Sequence, residues 1–187
     1  MGVDPGTIKA GYGVIDARGS EIRSMGFGVV RGGRDRDKYG ERLERIFDGL
    51  TAIISAHHPE VLVLETVFFH KNVASAIRIG EGRGLAVLAA AKGGLALVEL
   101  PPAVIKKAVT GRGDARKEQV AEMVRLILGL AEAPQPDDAT DALACAIAGY
   151  HRVIAAGRLE QAADTVPEAE RRSPLKGYPA CRRRRRS

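Results

Sequence analysis

The beginning of the chain has the pattern of short β-strands. A Gly-Val-Asp run at 2–4 is followed by a Pro-Gly turn, a second apolar run at 11–15 and a third at 22–30. Turn residues separate these runs, which is typical of strands joined by short connections. The sequence therefore predicts a three-stranded meander.

The following segments alternate between helical and strand-like periodicity. Apolar residues in 38–57 recur at spacings of three and four, which predicts an amphipathic helix that ends before Pro59. The continuous apolar run 61–64 is typical of a strand buried on both faces of a sheet. Beyond it we predict a helix over 74–91, a strand over 95–100, and helices over 117–128 and 138–154.

This order of elements indicates the fold class. A meander followed by alternating helices and strands is typical of an α/β protein with helices on both faces of a mixed sheet, here of five strands. The 45% apolar content is enough for one core, and apolar periodicity stops near residue 157. We predict one domain over 1–156 and a basic, disordered tail over 157–187.

The net charge of +6 indicates a polyanionic partner, but the charge is unevenly distributed. Residues 167–187 hold eight of the 29 basic and two of the 23 acidic residues, so this segment carries the whole excess. We interpret it as an appendage that binds phosphates without sequence preference. Aromatic residues are only 4% of the chain, which argues against single-strand binding by base stacking.

Two cysteines, Cys145 and Cys181, indicate neither a disulfide framework nor a zinc site. A reducing cytoplasm is therefore the expected location. The chain has no apolar stretch long enough to span a bilayer and does not begin with the pattern of a secretory signal, so we expect no membrane association.

Four acidic residues lie at positions where active sites tend to form. Asp4 precedes the Pro-Gly turn, Glu65 ends the buried strand at its carboxyl edge, and Asp138 and Asp141 share one face of a helix start. Carboxylates brought together repel one another, and divalent cations relieve that repulsion. Oxygen donors without histidine or thiolate suit Mg²⁺ or Mn²⁺, and two such ions favour hydrolysis of a phosphodiester.

Each acid also has a purely structural explanation. Asp138 follows Pro136 and is a candidate helix N-cap, and Asp141 would interact favourably with the helix dipole. Glu65 is also compatible with an ordinary strand end, and Asp4 with a residue that stabilises its turn. The metal-site hypothesis therefore requires that all four acids converge.

Three segments together resemble the RuvC family of Holliday junction resolvases. They are GVDPGT at 2–7 with GYGV at 11–14, ETVFFHKN at 65–72, and DATDALA at 138–144. The resemblance extends over 1–155. It implies an RNase H-like fold and a homodimeric endonuclease that cuts four-way DNA junctions by paired symmetric nicks in recombination and repair.

The resemblance also implies the roles of particular residues. Asp4, Glu65, Asp138 and Asp141 match the family's metal-binding acids, with two Mg²⁺ per subunit and Mn²⁺ as a substitute. Lys106 and Lys117 match catalytic lysines near the scissile phosphate. Two of these assignments stay open by one residue, because Asp137 precedes Asp138 and Lys107 follows Lys106.

DNA contacts are implied for the segment after Glu65, namely Phe68, Phe69, Lys71 and Asn72, together with Lys106 and Lys117. Phe68 matches an aromatic wedge at the junction centre, although a core position is the alternative and Phe69 is compatible with either role. His70 has no assigned role.

Partners are implied as well. The helix over 74–91 is rich in small residues that suit close packing against a second copy or against the chain's own sheet. The family implies partnership with the RuvA and RuvB branch-migration proteins and a preference for cut sites that contain thymine.

Three other classes of protein share part of these features. An RNase H-like nuclease acting on RNA-DNA hybrids has a similar acid cluster, and a junction-binding protein without catalysis has the charge. Actin-like kinases share the opening motif but need a second lobe, which this chain is too short to supply. The presence of all four acids favours the junction nuclease.

Overall fold

The structure is a computed structural model that describes residues 1–34, 36–66 and 73–165, with the backbone alone for 73, 74 and 154–165. One compact unit spans Met1–Val153 and a second spans Ile154–Ser187. The strands are β1 (Gly2–Asp4), β2 (Lys9–Arg18), β3 (Glu21–Arg31), β4 (Val61–Glu65) and β5 (Ala96–Leu100), and the helices are α1 (Tyr39–His57), α2 (Val73–Gly93), α3 (Pro102–Thr110), α4 (Lys117–Leu128) and α5 (Asp137–Thr165).

The strands form a mixed sheet of five in the order β3-β2-β1-β4-β5. The meander β1-β2-β3 is antiparallel, whereas β4 runs parallel to both β1 and β5. Val3 pairs with Leu64, so the next residues, Asp4 and Glu65, end neighbouring strands at the same edge. The predicted meander and mixed five-stranded sheet are confirmed.

Apolar side chains fill both faces of this sheet. On one face, Ile46 and Leu50 of α1 pack with α2 and with the inward side of β2. On the other face, Val124 of α4 and Leu143 and Ile147 of α5 pack with α3. Burial of each such side chain contributes about 1.5–3 kcal/mol. Helices on both faces are thus confirmed.

No helix in the described ranges combines the length and apolarity needed to cross a bilayer.

Helix α3 is an element that the sequence analysis did not predict. It begins with Pro102 in its first turn and ends at Thr110. The next residue, Gly111, has a φ of 78° and forms a left-handed cap whose N–H donates to the Lys107 carbonyl. Proline at the start and glycine after the end of a helix are the signals that could have found it. The helix matters because it carries Lys106.

Helix α5 differs from its predicted limits at both ends. It begins at Asp137, so Asp138 lies inside the first turn and the N-cap interpretation of Asp138 is wrong. It also continues to Thr165, beyond its predicted end at residue 154. Residues 166–187 lie outside the described residues, so the disordered tail stays a prediction.

Glycines in β1 and β2 allow α5 to approach the sheet very closely. A Cβ atom on Gly11 would lie 2.0 Å from the Asp138 carbonyl oxygen, and one on Gly2 would lie 2.0 Å from the Ala142 carbonyl oxygen. A Cβ atom on Gly13 would lie 2.7 Å from the Leu143 side chain. The start of α5 is thereby held over the end of β1.

We expect Gly11→Ala to lower the free energy of unfolding by about 1–3 kcal/mol, because the added methyl group meets helix backbone that cannot rotate away. Gly40→Ala is the matched control. Gly40 is exposed in the first turn of α1 with open space around it, so the change should be neutral or stabilising by up to about 1 kcal/mol. Urea denaturation measures both; equal effects would contradict the close approach.

Candidate active site

A cavity of about 450 Å³ opens at the carboxyl edge of the sheet, beside the ends of β1 and β4. Residues from separate elements provide its charged lining, namely Asp4, Glu65, Lys106, Lys117 and Asp141. Three of the four predicted acids and both predicted lysines therefore meet in one place.

The strand ends are held in place by an arginine from α2. Arg83 donates from Nη1 to the Glu65 main-chain oxygen at 3.4 Å, and it forms an ion pair with Glu99 of β5. It thus links the ends of β4 and β5. The sequence analysis missed this residue.

The cavity acids are partly buried and close to one another. Burial, followed by the charges of Asp141, Asp138 and Glu65, raises the pKa of Asp4 from 3.8 to about 7, although Lys117 opposes the shift. Burial and then Asp141 raise the pKa of Glu65, with opposition from Lys106 and Lys117. The two lysines therefore only partly compensate the negative charge.

Each lysine reaches the cavity from a different helix. Lys117, at the start of α4, donates to Oδ2 of Asp141 at 3.4 Å, and this carboxylate is the main cause of its raised pKa. Lys106 of α3 is half-buried and lines the cavity, whereas its neighbour Lys107 is exposed. The geometry favours Lys106 over Lys107 as the residue that faces the acids.

Asp138, the fourth acid, is placed differently. It does not line the cavity, and its carboxylate forms an ion pair with Lys9 at the start of β2. Its charge nevertheless contributes to the raised pKa of Asp4, whereas Asp137 acts on Lys117 instead. Of the two neighbours, Asp138 is therefore the one whose charge acts on Asp4.

The acids do not yet form a complete metal-ligand set. Among the described residues, no three acidic, histidine or cysteine side chains are grouped closely enough to hold one ion. Side-chain rotation would be needed, including release of Asp138 from Lys9. The donors nevertheless fit a hard divalent cation, because mutually repelling carboxylates line the cavity without a histidine or a thiol.

The thiol of Cys145 is not a metal-ligand candidate. Burial, followed by the negative charges of Glu65 and Asp4, raises the pKa of this thiol and keeps it protonated.

The proposed DNA contacts directly after Glu65 cannot be placed. Phe68, Phe69, Lys71 and Asn72, together with His70, lie outside the described residues. Their roles stay predictions.

Known proteins of one family match this chain along most of its length. The family model described as "Crossover junction endodeoxyribonuclease RuvC" matches residues 1–149. The chain belongs to the RuvC family. A RuvC of Heliobacterium modesticaldum is 43% identical over 151 residues, covering 81% of this chain and 93% of that protein. A RuvC of Dehalococcoides mccartyi is 45% identical over 156 residues, covering 83% and 94%.

Solved RuvC structures agree with the fold. A T. thermophilus RuvC in complex with Holliday junction substrate aligns with a TM-score of 0.75 and 35% identity, over 79% of this chain and 89% of that chain. The predicted RNase H-like fold and the resemblance to RuvC are confirmed. RuvC proteins are metal-dependent nucleases, and the matched residues 1–149 include every acid and lysine of the cavity.

The raised pKa of Asp4 makes stability depend on pH. Between pH 4 and 7 the unfolded chain releases this proton more readily than the folded one, so stability falls as pH rises and the loss is complete above pH 7. In EDTA at pH 8 we expect Asp4→Asn to be more stable than wild type by about 1–3 kcal/mol, a gain that disappears near pH 4.

Urea denaturation across this pH range measures the effect. Asp48→Asn is the control, because Asp48 is exposed on α1. A gain of equal size at both ends of the range, or the same gain in the control, would contradict the buried-carboxylate explanation.

Proposed function

We propose that this chain is a crossover junction endodeoxyribonuclease that resolves four-way DNA junctions through metal-dependent phosphodiester hydrolysis. The convergence of Asp4, Glu65 and Asp141 with Lys106 and Lys117 in one partly buried cavity carries this proposal. Similarity to a RuvC solved with a Holliday junction substrate supports the choice of DNA substrate.

The proposed metal ligands are Asp4, Glu65, Asp138 and Asp141, with two Mg²⁺ per subunit and Mn²⁺ as a working substitute. When bound there, the ions would activate water and neutralise the charge that develops at phosphorus. The protein's part is to keep these carboxylates in a partly buried pocket whose remaining negative charge favours divalent cations.

The two lysines provide the positive charge for the DNA. Lys106 and Lys117 line the cavity, which supports a role in which their ammonium groups hold the scissile phosphate and stabilise the transition state. Because Lys117 is linked to Asp141, its ammonium group stays beside the acids before DNA arrives. Attack by water in this arrangement would leave 5′-phosphate and 3′-hydroxyl ends.

Neutral substitutions of the acids should separate binding from cutting. We expect Asp4→Asn and Glu65→Gln to retain junction binding and to lose cutting by at least about a hundredfold, since they remove metal ligands without adding positive charge. Gel analysis of symmetric nicking on a synthetic mobile junction with Mg²⁺ measures cutting, and mobility shift measures binding. Asp48→Asn on the exposed face of α1 should cut normally.

The same assay decides between the remaining functions. Preferential cutting of an RNA-DNA hybrid over a junction would indicate the hybrid nuclease, and cutting by neither wild type nor variants would indicate a binding protein. A plain duplex serves as the substrate that a junction-selective enzyme leaves intact.

A homodimer is part of the proposal because α2 presents an exposed apolar face. Ile77 and Leu88 are 55% and 51% exposed, and Gly80 and Gly84 have open space around them. Spacings of three and four place these residues on one side of the helix. A second copy packed on this face would relate two active sites by two-fold symmetry and so explain paired nicks.

We expect Leu88→Asp to shift the protein from dimer to monomer, because a charge at this position would be buried in the interface. Leu126→Asp is the matched control, since Leu126 is 54% exposed on α4. Sedimentation equilibrium measures the mass of both variants. A wild type that is monomeric, or a control that dissociates to the same extent, would contradict this assignment.

Other parts of the proposed function rest on the family. RuvA and RuvB are the proposed protein partners, thymine-containing sites the proposed cut positions, and Phe68, Phe69, Lys71 and Asn72 the proposed DNA contacts beyond the lysines. A cytoplasmic location agrees with the free, buried thiol of Cys145.

A further inference from the structure

We infer that Lys9 competes with the metal for Asp138 and thereby lowers the metal affinity of the active site. Lys9 is a positioning residue in this scheme, because it acts through Asp138 and not on the substrate. The inference rests on the proposed function, since it takes Asp138 as a metal ligand.

The ion pair joins two distant parts of the chain. The ammonium group of Lys9 contacts Oδ2 of Asp138, and the side chains are 49% and 19% exposed respectively. The carboxylate is thus the more enclosed partner, while the lysine has room to swing into solvent.

The register of β2 directs Lys9 toward this acid. Residues 9, 11 and 13 lie on one side of the strand, and Gly11 and Gly13 of this set face α5 at very short distance. Ala10 and Val14, on the other side, pack with α1 and α2. Lys9 therefore extends from a strand that is fixed against the first turn of α5, where Asp138 lies.

The pair also explains why Asp138 stands apart from the other acids. Asp4, Glu65 and Asp141 line the cavity, whereas Asp138 does not and is held by Lys9. Binding of a metal through Oδ2 of Asp138 requires that this ion pair be broken, and the nearby ammonium group repels the ion as well. Because the lysine is half-exposed, solvent screening keeps the effect modest, at about three- to tenfold in Kd.

Binding of Mn²⁺ to the full-length protein without DNA is the direct test. We expect Lys9→Met to bind Mn²⁺ about three- to tenfold more tightly than wild type, measured from the signal of free Mn²⁺ in electron paramagnetic resonance. Lys9→Arg keeps the charge and should stay near wild type. Lys92→Met removes a lysine that stacks on the Phe47 ring at the far end of α2, and it should leave the Kd unchanged.

A double-variant comparison isolates the role of Asp138. In an Asp138→Asn background, Lys9→Met should change the Mn²⁺ affinity by less than about twofold, because the acid for which Lys9 competes is gone. The same gain in both backgrounds would show a general charge effect and would overturn the inference. Lys9→Gln provides a second neutral variant, and thermal unfolding with and without Mg²⁺ shows whether each variant folds and how strongly the metal stabilises it.

The outcomes separate this inference from the proposed function. Equal Mn²⁺ affinity in wild type, Lys9→Met and Lys9→Gln would overturn the role of Lys9 while the metal site stands. Failure of wild type and all folded variants to bind Mn²⁺ would overturn both. Tighter binding in both neutral variants, lost with Asp138→Asn, supports the competition.

Discussion

Direct contact between the backbone of α5 and the strands beneath it determines where the active-site acids lie. Gly2 and Gly11 leave no side chain between helix and sheet, so the first turns of α5 rest on β1 and β2. Asp138 and Asp141 are brought by this contact to the edge where Asp4 and Glu65 end. A larger residue at either glycine would separate the helix acids from the strand acids.

The same close packing brings like-charged carboxylates together, and the nearby lysines neutralise their charge only in part. Burial and mutual repulsion raise the pKa of Asp4 and Glu65, and the lysines are divided between different tasks. Lys117 is linked to Asp141, and Lys9 to Asp138, while Lys106 faces the cavity from α3. The residual negative charge favours divalent cations, and the nearby ammonium groups are suited to hold a phosphate. In the proposed function, metal binding and DNA binding would therefore depend on one arrangement of charge.

Much of the fold could be predicted because local periodicity reports burial. The turn-separated runs at the start of the chain and the apolar run before Glu65 identified the sheet, and the helical spacing identified α1. Helix α3 was missed because it is short and marked mainly by Pro102 and Gly111 at its ends. The limits of α5 were also wrong, because the helix begins one residue before its predicted start and continues to Thr165.

The sequence by itself determined which chemistry is possible: the acidic residues, their order, and the motifs shared with the RuvC family. Only the tertiary structure decided how these residues are combined. It turned Lys106 toward the cavity and left Lys107 exposed, it paired Lys9 with Asp138, and it joined Arg83 to the main chain of Glu65. Such pairs join residues far apart in the chain, so they follow from how the helices pack on the sheet and leave no mark on local periodicity.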